Sequence, residues 1–205
     1  MIALLCYSNA YLMQKKQKKT LHIGIMGARG SFSEEAGRAY ASKSGLKDYK
    51  LAYLINAERV LSELEAGKMD IGIFPIENSN GGIVLEAVQA MAKHNFTIKR
   101  IFEIDIHHNL LVKKGIKAGQ IKKITSHDQA IKQCRMYLKR KWPEVDIEVY
   151  EDTAKAAADL ASGVLPKTTA VIASRSAAKL YKLDILEESI QDLKFNYTSF
   201  IAATK

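Results

Sequence analysis

Apolar positions along this chain fall into two rhythms that alternate from residue 21 onward. Short continuous apolar runs, as at 71–76, read as buried strands. Between them apolar residues recur at helical spacing, as at Val60, Leu61 and Leu64. Strands are expected at 21–26, 49–55 and 71–76, with helices opening at Ser33, at Asn56 and beyond Ile83. Ser33 precedes Glu34 and Glu35, acids suited to a first helical turn, and Asn56 is a capping residue type. The helix from Ile83 runs through Val84, Val88 and Met91 to about Asn95. Residues 96–112 form a β-like run longer than the usual strand of ~5–6 residues, so they are expected to cross between lobes. A second series follows, with strands at 122–125, 146–150 and 170–173 and helices after Ser126, Asp152 and Ser174. The chain closes on 183–186, on Ile190-Gln191-Asp192 and on an alternating strand at 195–202.

The stretch Gly72 to Val84 organises the rest. Its strand breaks at Glu77-Asn78-Ser79, then at Gly81 and Gly82, and hands over to the expected helix. In open α/β sheets ligands sit at such strand ends, where unpaired helix N–H groups suit an anion. The alternative is a plain turn with Asn78 or Ser79 as the cap. Gly27 to Ser33, with glycines and two hydroxyls before a helix, is a second candidate anion cradle. Neither stretch has the spacing of a dinucleotide fingerprint or a P-loop. His107 and His108 would point to opposite faces of a strand, which argues against a shared metal.

Composition narrows the classes. Of 205 residues, 47% are hydrophobic and 26% charged, an ordinary globular balance. The net charge of +9 sits partly in lysine-rich runs at 15–19, 113–123 and 139–141, which read as solvated surface and would also draw in a small polyanion. No groove-reading helix, zinc spacing or aromatic-studded basic strand supports a nucleic-acid partner. Cys6 and Cys134 are the two cysteines, far apart, so a disulfide framework is not indicated and a reducing compartment fits. Residues 1–13 are apolar but too short to span a bilayer, and their lysines follow the run where a secretory signal would place them ahead. Residues 1–20 are therefore read as an extension outside the fold, with no stable membrane insertion and a cytoplasmic location.

The ordered motifs resemble the catalytic domain of the prephenate dehydratase family over about residues 21–203. They are Gly27-x-x-Gly30-Ser31-Phe32-Ser33-Glu34, Pro75-Ile76-Glu77-Asn78-Ser79-x-x-Gly82-x-Val84 and His108-Asn109-Leu110-Leu111. Ser126-His127 with Gln133-Cys134, Thr153-Ala154-x-Ala156 and Tyr181-x-Leu183 follow. Ile190-Gln191-Asp192 and Asn196-x-Thr198-x-Phe200 close the set. The resemblance implies an α/β, two-lobed, periplasmic-binding-protein-like (type II) fold with the active site in the interlobe cleft. Lobe 1 would comprise 21–104 with 190–205 and lobe 2 would comprise 105–189, with crossings near 103–111 and 186–193. It implies decarboxylating dehydration of prephenate to phenylpyruvate in phenylalanine biosynthesis, with no metal or organic cofactor, by a homodimer.

By the same resemblance Thr198 matches the catalytic threonine, and Asn78, Ser79, Ser126 and Gln133 match substrate-binding positions. Ser31 and the backbone of Gly30 are candidates to hold a carboxylate at the helix start. Glu77 could orient its neighbours, supply a proton if buried, or form a structural ion pair. The family's closing Thr-Arg-Phe reads Thr198-Ser199-Phe200 here, so Ser199 takes the arginine's place among the substrate-binding positions. A serine there lacks the guanidinium fork suited to carboxylates, and Arg29 and Arg175 are the possible substitutes. No residues beyond the closing motif remain for the family's phenylalanine-binding domain, so insensitivity to phenylalanine is expected. Two further readings stay open: a prephenate decarboxylase that does not aromatise its product, and a catalytically silent small-anion binding protein.

Overall fold

The computed structural model describes residues 20–205, so the reading of the N-terminal extension falls almost wholly outside the described residues. Two sheets form, each covered on both faces by helices. The first holds β1 (Leu21–Ile25), β2 (Tyr49–Tyr53), β3 (Ile71–Asn78), β5 (Thr97–Asp105) and β11 (Tyr197–Thr204) in the order β2-β1-β3-β11-β5. A short β4 (Gly82–Ile83) pairs with β3. The second holds β6 (Asn109–Val112), β7 (Lys123–Ser126), β8 (Asp146–Val149), β9 (Thr169–Ala173) and β10 (Asp184–Glu187) in the order β10-β6-β9-β7-β8. Both sheets have one plan: a parallel trio, then one antiparallel strand brought in from the crossing chain, then an edge strand. The amino-acid sequence shows no repeat that would reveal this shared plan.

Four apolar clusters fill the spaces between sheets and helices. In the first lobe α1 (Phe32–Lys43) covers one face through Ala36, Tyr40 and Ala41. The other face takes α2 (Ala57–Glu65), through Val60, Leu61 and Leu64, and α3 (Leu85–Met91), through Ala87 and Ala90. In the second lobe α4 (Asp128–Gln133) and α5 (Arg135–Lys141) pack on one face. On the opposite face lie α6 (Thr153–Ser162) and α7 (Arg175–Tyr181). Their caps are local: Asn56 Oδ1 accepts from Arg59 N, Asp152 Oδ1 from Ala154 N and Lys155 N, and Ser174 Oγ from Ala177 N. The helices read from sequence as starting at Asn56, Asp152 and Ser174 start there.

The β-like run at 96–112 crosses between the sheets as expected: it is broken at 106–108, with β5 in the first sheet and β6 in the second. The chain returns through 188–196, and the crossings are bonded to each other: Ile106 N donates to Asn196 O and Ile190 N to His108 O. The helix expected from Ile83 begins only at Leu85, and Gly81-Gly82 lie in a β3–β4 hairpin. Asn78 Oδ1 takes the N–H groups of Asn80 (2.9 Å) and Gly81 (2.8 Å), turning the chain back before a helix can start.

Candidate active site

The polar end of β3 meets the start of β11 because β11 lies antiparallel to β3 with Thr198 opposite Asn78. The Asn80 and Gly81 N–H groups fix the Asn78 amide with its oxygen toward the hairpin. Its nitrogen therefore faces β11 and donates to Asn196 Oδ1 (2.9 Å) and Thr198 Oγ1 (2.8 Å), with Tyr197 O sharing at 3.2 Å. Asn196 Nδ2 in turn donates to Gln133 Oε1 (2.8 Å), and Gln133 Nε2 returns to Asn78 Oδ1 (3.1 Å). Three amides from both lobes thus close a hydrogen-bonded ring whose direction is set by two backbone N–H groups. Gly81 permits it: a side-chain carbon there would lie 2.6 Å from Gln129 Nε2 and 3.3 Å from Asn78 Oδ1.

The ring fixes two protons outside itself. An amide nitrogen cannot accept, so Thr198 Oγ1 is the acceptor from Asn78 and its own hydrogen is left to donate elsewhere. Gln133 Oε1 also meets His108 Nε2 at 2.7 Å, so that ring nitrogen carries the hydrogen. Burial, partly offset by the Gln133 bond, pushes the His108 pKa down, which keeps the imidazole neutral.

A cleft cavity of about 270 Å³ opens between the lobes on these groups. Asn78, His108, Gln133 and Thr198 line it together with apolar Phe32, Pro75, Ile106 and Phe200. Ser33 near the start of α1, and Asp152 and Thr153 at the start of α6, bring two helix N-termini to its wall. The N–H groups and partial positive charge of the α1 end suit a carboxylate, whereas the Asp152 carboxylate already takes the Ala154 and Lys155 N–H groups at the α6 end. Among the described residues, no lysine or arginine lines the cavity.

Of the expected site residues, Thr198, Asn78 and Gln133 are brought together, and the other six lie outside the lining. Glu77 and Ser199 neighbour Asn78 and Thr198 along their strands, so the two-residue period turns them to the opposite face, where Ser199 Oγ donates to Glu103 Oε1 (3.1 Å). Glu77 is exposed there, which is not the burial a proton source needs. Ser79 Oγ accepts from Tyr197 N (3.0 Å) and pins β11 to the hairpin. Ser126 Oγ donates to Ile172 O (2.6 Å) inside the second sheet. Ser31 caps α1, accepting from Glu34 N at 3.3 Å.

Gly30 is an interlobe contact. Its N–H donates to Glu34 Oε2 (2.7 Å), and its carbonyl accepts from Ser174 Oγ (2.7 Å) of the second lobe. Glu34 also holds Arg38 (2.6 Å), and burial raises its carboxyl pKa less than Gly30 and Arg38 lower it, for a net downward shift. The carboxylate place foreseen at Gly30 is thus filled by the protein's own Glu34. Arg29 stacks near Tyr53, 5.9 Å from the ring centre, and Arg175 pairs with Glu188 (2.6 Å), so neither replaces the missing arginine at the cavity. His108 and Asn196 were missed as site residues. Both stand in the quoted motifs, His108-Asn109-Leu110-Leu111 and Asn196-x-Thr198-x-Phe200, which was the available signal, but the strand period alone placed His108 on an unspecified face.

A family model described as prephenate dehydratase matches residues 23–205. The chain is 32% identical over 184 residues to a bifunctional chorismate mutase/prephenate dehydratase of Stutzerimonas stutzeri, covering 90% of this chain and 48% of that protein. It is 33% identical over 183 residues to the chloroplastic arogenate dehydratase 5 of Arabidopsis thaliana, covering 89% of this chain and 41% of that one. The chain therefore spans under half the length of these relatives. The crystal structure of a prephenate dehydratase from Arthrobacter aurescens in complex with L-Phe superposes with a TM-score of 0.81 at 26% identity, over 90% of this chain and 60% of that one.

Proposed function

The chain belongs to the prephenate dehydratase family, and from that premise we propose that it converts prephenate to phenylpyruvate in phenylalanine biosynthesis. The observation that carries this reading is the amide ring that leaves the Thr198 hydrogen free at the cavity. In the reaction the bond from C4 to its hydroxyl breaks with the electron pair on oxygen, while the C1–carboxylate bond breaks and its pair enters the ring. One proton taken up from solvent turns the departing hydroxide into water, CO2 leaves, and the ring becomes aromatic. Thr198 donates to the departing oxygen as charge grows on it, in an apolar surround where such a bond is worth more than in water. Asn78 and Gln133 position that hydroxyl, and the N-terminus of α1 faces a carboxylate.

Glu77, Ser79, Ser31, Gly30, Ser126 and Ser199 act in this reading through the frame and not on substrate. The lobe limits, 21–104 with 190–205 and 105–189, are part of the proposal, supported by β5 ending at Asp105 and by the 188–196 crossing. A cytoplasmic homodimer belongs to it as well; no helix of the described residues is long and apolar enough to cross a membrane. Light scattering of the purified chain checks the dimer.

Product analysis after incubation with prephenate tests the reaction. Phenylpyruvate supports it, a non-aromatic keto acid makes the chain a decarboxylase, and unchanged prephenate refutes it, leaving arogenate turnover or small-anion binding to be tested in turn. Arogenate is the second substrate reading, favoured by Asp152, the one carboxylate lining the cavity, which would pair with an ammonium. Asp152→Asn keeps a capping side chain, so a selective loss on arogenate would support that reading.

A further inference from the structure

Prephenate is a dianion, yet the cavity proposed to take it is lined by no lysine or arginine among the described residues. One helix end at its wall is already filled by the protein's own Asp152 carboxylate. Carboxylates taken out of water need hydrogen-bond donors, so neutral groups have to supply them. The start of α4 offers two such groups. His127 caps this helix through Nδ1, which accepts from Gln129 N at 3.3 Å. A backbone N–H can only donate, so Nδ1 carries no hydrogen in this pose and Nε2 does. Nε2 has no partner among the described residues, and His127 is exposed and lines the cavity.

Gln129 lies on the same wall, and its side-chain amide makes no hydrogen bond among the described residues. The amide reaches across the cleft to the β3–β4 hairpin. A side-chain carbon on Gly81 would fall 2.6 Å from Gln129 Nε2 and 3.3 Å from Asn78 Oδ1. The absence of a side chain at Gly81 therefore makes room for this amide beside Asn78, the residue that holds the Thr198 hydroxyl.

We propose that His127 Nε2–H and the Gln129 amide bind one carboxylate of the substrate from the second lobe. This rests on the prephenate reading above. A hydrogen bond to a carboxylate is stronger than one between neutral groups, so two donors on one helix start give a usable anion site without a fixed cation. Such contacts hold substrate and transition state alike, so they act on binding and not on the bond that breaks.

The test uses two unreactive probes: 1-carboxycyclohexane-1-pyruvate, a saturated dicarboxylate, and phenylpyruvate, which keeps only the side-chain carboxylate. Calorimetry on the full chain reads both. His127→Asn keeps an oxygen to cap Gln129 N and has no group at the Nε2 place. Gln129→Met keeps the length of the side chain without its amide. Each variant is expected to weaken the dicarboxylate roughly tenfold or more, the worth of a hydrogen bond to a charged group. KM for prephenate should rise by the same factor with kcat within about twofold. His127→Gln, whose amide nitrogen takes the Nε2 place, should retain most of the affinity. Weaker phenylpyruvate binding in the same variants assigns the site to the side-chain carboxylate, and unchanged phenylpyruvate binding assigns it to the ring carboxylate. In 15N-histidine-labelled wild type the His127 Nε2 resonance should move as the dicarboxylate is added, a readout that needs no variant to fold. Unchanged dicarboxylate affinity in the two variants overturns the inference. So does an Nε2 resonance that stays in place at saturation, or a fall in kcat with KM unchanged. Product analysis is run in parallel: phenylpyruvate formed from prephenate alongside unchanged probe affinities sinks only this carboxylate site, whereas no product and no binding of either probe sinks the proposed function itself.

Discussion

At the residue scale the site depends on hydrogens whose places are set at a distance. Two backbone N–H groups of the hairpin orient Asn78, Asn78 orients Asn196 and Gln133, and these settle which way Thr198 and His108 present their polar atoms. Thr198→Val keeps the β-branched shape and removes the hydroxyl. Steady-state kinetics should show kcat lower by roughly 10²–10³, about 2.7–4 kcal/mol, as for loss of one positioned transition-state donor. KM should move much less, because the bond strengthens mainly in the transition state. Ser199→Arg behaves differently from what the motif alone suggests. Ser199 lies between Glu77 and Glu103 in the sheet, on the face turned from Thr198. The arginine should form a cross-strand ion pair worth at most about 1 kcal/mol in denaturant unfolding, with kcat essentially unchanged. A large gain in kcat would show that this face does reach the substrate.

Elements were legible in sequence wherever their cause was local. The α2 helix follows from Asn56 and from Val60, Leu61 and Leu64, all buried as its spacing requires. The α3 start was not legible, because the Asn78 side chain captures N–H groups that a helix start would have left free. The end of α3 is tied to α2 by His94, whose Nδ1 meets Glu65 (2.8 Å) and Nε2 meets Glu58 (2.9 Å). The Glu65 bond, then the Glu58 bond, raises the His94 pKa above its ordinary value. The charged imidazole is favoured in the folded state, so its stabilisation is complete below the unfolded pKa of about 6.5 and is lost as pH rises through the folded value. Thermal unfolding across that window should show wild type losing its advantage over His94→Gln as pH rises. A difference in Tm that does not vary with pH would dismiss the ion pairs.

At the scale of the whole molecule the lobes touch where Gly30 backs onto α7. Its φ of 82° is left-handed, and a side-chain carbon would lie 3.2 Å from the Ala177 backbone. Gly30→Ala therefore combines backbone strain of roughly 1–2 kcal/mol with a push against the second lobe. A fall in Tm is expected with the cavity residues untouched, and an unchanged Tm would mean that the contact is free to open. The contact lies apart from the crossings at 106–108 and 188–196, so chain connection and lobe packing hold the cleft at different points.

The sequence by itself determined the alternation of strands and helices, most helix starts, the crossing near 106 and the family, because periodicity, caps and ordered motifs are properties of neighbouring residues. It also determined that Asn78, Gln133 and Thr198 belong together, through the motifs they sit in. Only the tertiary structure decided which face of β3 and β11 meets the cavity. A two-residue period separates Glu77 from Asn78 and Ser199 from Thr198, but says nothing of which face is covered until the strands are paired. Likewise only the fold could give His108 its lone pair. That follows from Asn196 and Gln133 meeting from opposite lobes, sixty-three residues apart in the chain, and hydrogen-bond direction over such a distance has no local trace.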